Sequence, residues 1–168
     1  VSLESASRKV RATRIAMDNI GAAIDSMSRT MRMGSTFNCG CGAPVTTPVA
    51  CEMDNNPDDD SQPCIAFEHQ NGVITNPNDQ YMYRRSVVGG VGRIERSKTS
   101  GTSWEMLTAP EINVTDLKVW VGGVDVATDQ PYVTMVIRGT ASTGAKTSTT
   151  FNVQTTISQR VPNLDLIP

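Results

Sequence analysis

Apolar side chains at the start of the chain recur in alternating steps of three and four residues. Such a period places them along one side of an α-helix, and most of the charged side chains between them fall off that side. Gly34 follows the last apolar position and Arg32 supplies a positive charge in the last turn, both of which are typical of a helix end. The pattern therefore predicts one amphipathic helix of about thirty residues. Its two apolar lines are Leu3, Val10, Met17, Ile24 and Met31, and Ala6, Thr13, Ile20 and Met27.

The predicted helix is long for a chain of 168 residues. At 1.5 Å per residue it spans roughly 45 Å, whereas most helices have only three or four turns. We expect the half from Met17 to Met31 to pack on the rest of the domain. The half from Leu3 to Thr13 has weaker apolar positions, and we expect it to project from the domain toward a partner.

After Cys64 the apolar period changes to two, which is typical of β-strands. The dipeptide Asn71-Gly72 predicts a tight hairpin after the first of these strands. One helix followed only by strands indicates an α+β fold, with a long N-terminal amphipathic helix packed on an antiparallel β-sheet. The predicted strands cover residues 64–68, 80–85, 92–97, 112–121, 132–138 and 149–159.

Residues 35–63 contain prolines and glycines but no apolar period, so we expect a loop there. All four cysteines lie in or beside this loop, which is typical of two disulfides in an oxidising compartment; their spacing does not fit a zinc knuckle. Cys39 and Cys41 are too close to pair with each other, so each is expected to reach Cys51 or Cys64. Both pairings stay open, and the nested one, Cys39 with Cys64 and Cys41 with Cys51, is our working choice.

These segments divide the chain into four parts. The helix covers residues 1–34, the disulfide-stapled, cysteine-rich loop residues 35–64, the antiparallel sheet residues 65–160, and a tail residues 161–168. The loop also holds an acidic run in which Asp54, Asp58 and Asp60 are candidate ligands for Ca²⁺, since this ion prefers oxygen. No glycine-and-glutamate pattern of an EF-hand follows them, so a solvated acidic loop without a cofactor is the favoured interpretation.

The charge is nearly balanced, with 15 lysines and arginines against 17 aspartates and glutamates. Such a balance does not attract nucleic acid or anionic lipid. Arg84, Arg85, Arg93 and Arg96 form the one basic group along the predicted strands, but acidic neighbours weaken it, and we expect no nucleic-acid partner. His69 is the sole histidine and no catalytic motif accompanies it, so the sequence predicts no enzyme.

Four basic residues, Arg8, Lys9, Arg11 and Arg14, lie where the helix would begin. The positive end of the helix dipole disfavours cations there, and the chain starts at Val1 rather than at a methionine. We therefore expect the helix to continue upstream of Val1. The chain itself contains no apolar run of the roughly 18 residues that a membrane span needs.

A long amphipathic N-terminal helix, a stapled loop and an antiparallel sheet near the C-terminus resemble the soluble part of a type IV pilin or pseudopilin. Residues 17–29 are similar to the helix of minor pseudopilins of the J class and related prepilin-type proteins. Residues 107–117 resemble a strand entry of the same group, and residues 150–160 resemble its last strand. The family's leader and apolar N-terminal segment are not part of this sequence, so the resemblance implies a start partway down the family's helix.

The resemblance implies a structural subunit, either minor, at the tip or initiating, of a type IV pilus (a fimbrium) or of a type II secretion pseudopilus. Its partners would be other pilin or pseudopilin subunits, and the inner membrane through a preceding segment before assembly. Its location would be an extracellular or periplasmic cell-surface filament. Leu3, Val10, Met17 and Ile20 would form the helix contacts in the assembly. The alternative is a secreted domain that binds calcium or a surface ligand.

Overall fold

The computed structural model describes residues 3–41, 47–51, 63–124, 129–142 and 148–160. Within these ranges one helix is followed by eight β-strands, so the predicted α+β order is confirmed. The helix, α1, covers Leu3–Arg32. The strands are β1 (Ser35–Cys39), β2 (Cys64–Glu68), β3 (Tyr81–Val88), β4 (Val91–Ser97), β5 (Glu105–Met106), β6 (Ile112–Gly122), β7 (Tyr132–Ser142) and β8 (Ser148–Ser158).

The strands form two antiparallel sheets rather than the single sheet that the sequence predicts. One sheet has the strand order β1-β2-β3-β4-β5, and the other has the order β6-β7-β8. Strand β6 lies beside β4 of the first sheet, and side chains take part in the hydrogen bonds that join β6 to β4 and β3. The N–H of Gly92 donates to Asn113 Oδ1 at 2.8 Å, and Arg85 Nε donates to the carbonyl of Val114 at 2.7 Å. Because these bonds replace a backbone ladder, the two sheets meet without merging.

Helix α1 packs on β7 and β8 through a face of small and large apolar side chains. Alanine at three of the positions lets the helix lie close to the sheet, and the larger side chains fill the space between the two layers. The core continues on the inward faces of β6 and β7, where the predicted alternation is confirmed. The buried helix face consists of Ala12, Ala16, Ile20, Ala23, Met27 and Met31, each no more than 3% exposed.

This buried face differs from the predicted one along the N-terminal half of the helix. Met17 is 61% exposed, whereas Met31, on the same heptad line, is fully buried. A line of residues seven apart rotates around a straight α-helix by about 20° per heptad. Over four heptads this rotation carries the line from an exposed flank at Leu3 to the core at Met31. The expectation that Met17 packs on the sheet is therefore wrong.

The helix ends before Gly34, as predicted, but the glycine serves packing rather than a left-handed turn. Its N–H donates to the carbonyl of Met31 at 2.9 Å, and its φ is not positive. A Cβ at this position would lie only 2.5 Å from Cδ2 of Phe67. Phe67 belongs to a buried aromatic cluster with Phe37 and Tyr83. Gly34 therefore allows the end of the helix to lie directly against β2.

Strand β1 lies in the segment that the sequence predicts to be a loop. It pairs with β2 through a bulge between Ser35 and Asn38, where Thr36 has a φ of 51°. The bulge adds a residue to the strand, so three consecutive side chains (residues 36–38) are all buried. A strand without alternation has no period of two in its sequence, which explains why the apolar pattern did not indicate it.

The tight hairpin of the first sheet joins β3 to β4, not β2 to β3. Its turn is Gly89-Gly90, with φ values of 60° and 80°. A type I′ turn requires positive φ at both central residues, which glycine adopts without strain. The hairpin predicted at Asn71-Gly72 is wrong, because these residues begin a longer connection, residues 69–80, between β2 and β3.

Candidate interaction surface on the N-terminal helix

The N-terminal part of α1 extends beyond the sheets. From Leu3 to Arg11 every side chain that the structure describes is exposed, and Ala12 is the first buried one. Just beyond it, Thr13 Oγ1 lies 3.4 Å from Thr149 Oγ1 at the start of β8. The expected projection of the N-terminal part is therefore confirmed for residues 3–11, which make about two and a half turns.

Three large apolar side chains lie along one side of the helix before and just after this contact. Leu3 is 92% exposed, Val10 is 70% exposed and Met17 is 61% exposed, and together we call them the exposed stripe. At 100° per residue the stripe lies roughly a third of a turn around the helix from the centre of the buried face. The chain's own sheets therefore do not cover it.

A shallow groove runs beside the exposed stripe and is lined by Ala6, Lys9, Val10, Thr13 and Arg14. Two of its lining side chains, Ala6 and Thr13, are small, so side chains of a neighbouring helix can enter between the larger ones. The aliphatic stems of Lys9 and Arg14 add apolar surface at its borders while their charged groups remain in water. The groove and the stripe together form a surface with the size and period of a helix-packing face.

Ion pairs along this part of the helix are local. Glu4 pairs with Arg8, and Asp18 lies 3.8 Å from Arg14, each pair being four residues apart. Exposed pairs of this kind contribute only about 0.3–0.5 kcal/mol each to helix stability. They support the helix where no sheet contacts it, and they leave the exposed stripe without a charged group.

One of the four residues predicted to contact neighbouring subunits is not accessible. Ile20 is only 2% exposed and belongs to the core between α1 and the second sheet. Its proposed part in assembly contacts is therefore wrong, because a residue in the chain's own core cannot also bind a partner. Leu3, Val10 and Met17 remain as the accessible members of the predicted set.

The four cysteines form two disulfides with the crossed pairing. Cys39 is bonded to Cys51 and Cys41 to Cys64, so the nested working choice is wrong. Cys51 explains the difference, because its backbone exchanges hydrogen bonds of 2.9 and 3.1 Å with Val121 of β6. This contact holds Cys51 beside the end of β1, where Cys39 lies at a Cα–Cα distance of 5.8 Å. The disulfides indicate an oxidising compartment, either extracellular or periplasmic.

The candidate calcium ligands Asp54, Asp58 and Asp60 lie outside the described residues. Within the part of the chain that the structure describes, no group of three or more histidine, cysteine, aspartate or glutamate side chains is suited to hold a metal ion.

The four arginines considered as a basic strip are divided between the two faces of the first sheet. Arg84 pairs with Glu95 at 3.0 Å and its guanidinium lies over the ring of Trp104. On the other face, Arg96 Nε donates to Glu105 Oε1 at 2.5 Å. Alternation along the paired strands places Arg93 on the face of Arg84, and Arg85, which bonds to a carbonyl of β6, on the face of Arg96. They therefore do not form one strip.

His69, the sole histidine of the sequence, is half-buried. Its ring stacks on Tyr81, with the ring centroids 4.4 Å apart. Partial burial, together with the positive charge of Lys98, lowers the pKa of His69. The stacked ring thus joins the beginning of the connection between β2 and β3 to the first residue of β3.

Glu68, at the end of β2, was not identified from the sequence as a residue of interest. Alternation from Ile65 and Phe67 places it on the outer side of the strand, yet it is only 2% exposed. Burial, and to a smaller extent the charge of Asp79, raise its pKa to about 7. One feature of the sequence could have indicated this residue. Glu68 ends an apolar strand, and the polar connection that follows contains a second carboxylate, Asp79.

No known protein family, curated protein or solved structure matches this chain. Among the described residues, no helix combines the length and the apolar character that crossing a membrane would require.

Proposed function

We propose that this protein is a structural subunit of an extracellular or periplasmic filament of the type IV pilus or type II secretion class. It acts by assembly, with the N-terminal helix packing against helices of neighbouring subunits and the sheets forming an outward head. We assign it to the minor components, at the tip or at the initiating end. The observation that carries the proposal is the projecting helix with its exposed stripe of Leu3, Val10 and Met17.

The seven-residue spacing of the exposed stripe supports the proposal that α1 packs against another helix. Residues seven apart remain on one side of a helix only if that helix supercoils with a partner, and they rotate away if it stays straight. In this chain the line rotates into the core at Met31 but faces solvent from Leu3 to Met17. A partner helix on that side would bury these side chains, with a gain of about 25 cal/mol for each Å² of apolar surface.

The head supports the same proposal. The Cys39–Cys51 disulfide fastens the segment around residues 47–51 to β1, and backbone hydrogen bonds between Cys51 and Val121 join it to β6. The two disulfides suit a protein that works outside the reducing cytoplasm. The projecting part of α1 is its N-terminal end, residues 3–11, whereas the sheets of the head contact the helix only from about Ala12 onward. Contacts made by the helix therefore leave the sheets and the stapled segment free to determine which partner subunit or surface is recognised.

The test is incorporation of the full-length protein into filaments in its own host. Replacing Val10 and Met17 together by Asp places two charges in the exposed stripe, and we expect incorporation to fall at least about tenfold because the charges would be buried at the contact. The matched control is Ala22→Asp, which adds a charge at an exposed position on a different side of the same helix. Unchanged incorporation of the double variant, with normal folding, would contradict the proposal.

A further inference from the structure

Glu68 is a buried carboxylate that lacks a hydrogen-bond donor. It is 2% exposed, and neither Oε1 nor Oε2 has a hydrogen-bond partner within the described ranges. An ionised carboxylate away from water costs several kcal/mol unless another charge or a metal ion compensates it. Its environment therefore requires a partner for the carboxylate.

A second carboxylate, Asp79, lies near the other end of the same connection, two residues before β3 begins at Tyr81. Its Oδ2 accepts a hydrogen bond from the N–H of Val73 at 3.1 Å, which fixes the orientation of the group. Its Oδ1 is buried and, like both oxygens of Glu68, has no donor among the residues that the structure describes. The two groups are close enough for the charge of Asp79 to act on Glu68. Three buried carboxylate oxygens beside the same turn thus have no donor in the part of the chain that the structure describes.

The backbone of the connection closes directly over the Glu68 carboxylate. A Cβ on Gly72 would lie 1.7 Å from Glu68 Oε1, so a side chain at this position would force the buried carboxylate to move. The turn is held by a 2.7 Å hydrogen bond from the N–H of Gly72 to the carbonyl of His69. Lys98, whose charge acts on the adjacent His69, lies 3.5 Å from Glu105 and so already has a carboxylate partner. Among the described residues, no basic side chain forms an ion pair with Glu68, and neither of its oxygens accepts a hydrogen bond.

We propose that Glu68 and Asp79 bind a Ca²⁺ ion beneath the 69–80 connection. Ca²⁺ takes six to eight oxygen ligands in flexible geometry and accepts carboxylates in bidentate form. Glu68 offers both oxygens and Asp79 offers Oδ1, and backbone carbonyls and water supply the remaining positions. Mg²⁺ fits less well, because it is smaller and demands near-ideal octahedral geometry. With only two carboxylates, the affinity falls among the weak extracellular sites, with a Kd of about 0.1–1 mM.

This site uses neither the carboxylates of the acidic run at residues 54–60, which lie outside the described residues, nor any residue of the exposed stripe on α1. It ties the end of β2 to the start of β3, so a bound ion would hold the 69–80 connection in place. The proposal does not depend on the filament function, because a calcium-stabilised head serves a filament subunit and a secreted binding domain equally.

The test is titration of the EDTA-treated full chain with CaCl₂ at pH 7.5, followed by calorimetry and by thermal unfolding. We expect one site, and a melting temperature that rises with CaCl₂ more than with the same concentration of MgCl₂. Glu68→Gln and Asp79→Asn should each weaken binding roughly tenfold or more. Glu68→Gln removes a buried charge and should fold at least as well as the natural chain, so a loss of binding would not reflect misfolding.

Two controls locate the ion. Glu111→Gln changes an exposed carboxylate elsewhere and should leave the calcium response unchanged. A variant with Asp54, Asp58 and Asp60 all replaced by Asn should also retain it. Loss of binding in that triple variant with retention in Glu68→Gln would overturn the proposal in favour of the acidic run. The absence of both heat and thermal stabilisation would overturn it as well, and would leave a proton as the partner of the two carboxylates.

Discussion

Met17 and Met31 lie two heptads apart on α1, yet Met17 is 61% exposed and Met31 is fully buried against the sheets. Two methionines on the same heptad line therefore lie on different surfaces of the helix, one exposed to solvent and one packed in the core. Met31 stabilises the fold of the chain itself, whereas Met17 belongs to the exposed stripe that the proposed partner helix covers.

We expect alanine substitutions at these two positions to differ strongly in stability. Met31→Ala should lower the free energy of unfolding by about 2–5 kcal/mol, because it removes core contacts and leaves a cavity. Met17→Ala should change it by no more than about 0.5 kcal/mol, as at other exposed sites. Urea unfolding of the isolated chain measures both values. Similar losses at the two positions would mean that Met17 is packed in solution.

Alanine at Gly34 should be destabilising, although alanine is the better helix former. The added Cβ would come 2.5 Å from Cδ2 of Phe67, inside a fully packed aromatic cluster. Overpacking of this kind costs about 1–3 kcal/mol. Gly21 is the matched control, since a Cβ there meets nothing within 4 Å and Gly21→Ala should stabilise the helix by about 1 kcal/mol. Thermal unfolding should therefore shift in opposite directions for the two variants.

The crossed disulfides predict an order of stability among paired cysteine variants. Replacing Cys39 and Cys51 by Ser, or Cys41 and Cys64 by Ser, removes one bond and should cost about 3 kcal/mol in each case. Replacing Cys39 and Cys64 breaks both bonds and should cost about twice as much. Denaturant unfolding without reductant measures the three values. With the nested pairing the order would reverse, and the variant lacking Cys39 and Cys64 would be the mildest.

The pKa of Glu68 predicts how stability depends on pH in the calcium-free protein. Burial raises this pKa from 4.5 to about 7, so the folded state retains a proton that the unfolded state has already lost. The contribution of Glu68 is therefore fully present below about pH 4.5 and is lost as the pH rises through about 7, by about 3 kcal/mol.

The variant Glu68→Gln isolates this contribution from those of the other acidic residues. In EDTA its free energy of unfolding should match that of the natural chain at pH 4 and exceed it at pH 8. Unfolding measured across this pH range gives the difference directly. A constant difference between the two proteins at all pH values would show that Glu68 titrates alike in the folded and unfolded states.

The sequence predicts those helices and strands whose bounds depend only on the apolar period within the segment itself. The bounds of α1 and of the two long strands β6 and β8 agree with their apolar periods to within a residue or so, because glycine or proline marks the ends of the helix and of β6. The division into two sheets was not visible, since it depends on contacts such as Gly92 to Asn113 between distant segments. Strand β1 was missed because its bulge removes the alternation.

The candidate interaction surface was predicted in part, for a geometric reason. The heptad lines identified Leu3, Val10 and Met17, but the same lines included Ile20, which lies in the core. A sequence shows which residues share a line, and only the packed helix shows where that line turns under the sheet. The burial of Glu68 could not be predicted from the sequence for a similar reason. Alternation places Glu68 on the outer side of β2, and only the folded 69–80 connection covers it.

Site-specific photo-cross-linking in the assembled protein tests most directly whether a partner helix covers the exposed stripe. A benzophenone side chain at Val10 should form adducts with the helices of neighbouring subunits, because Val10 would lie within the contact. The same group at Ala22, exposed on another side of α1, should give adducts only at background level. Equal yields at the two positions, or no adduct at Val10 in assembled filaments, would contradict the account.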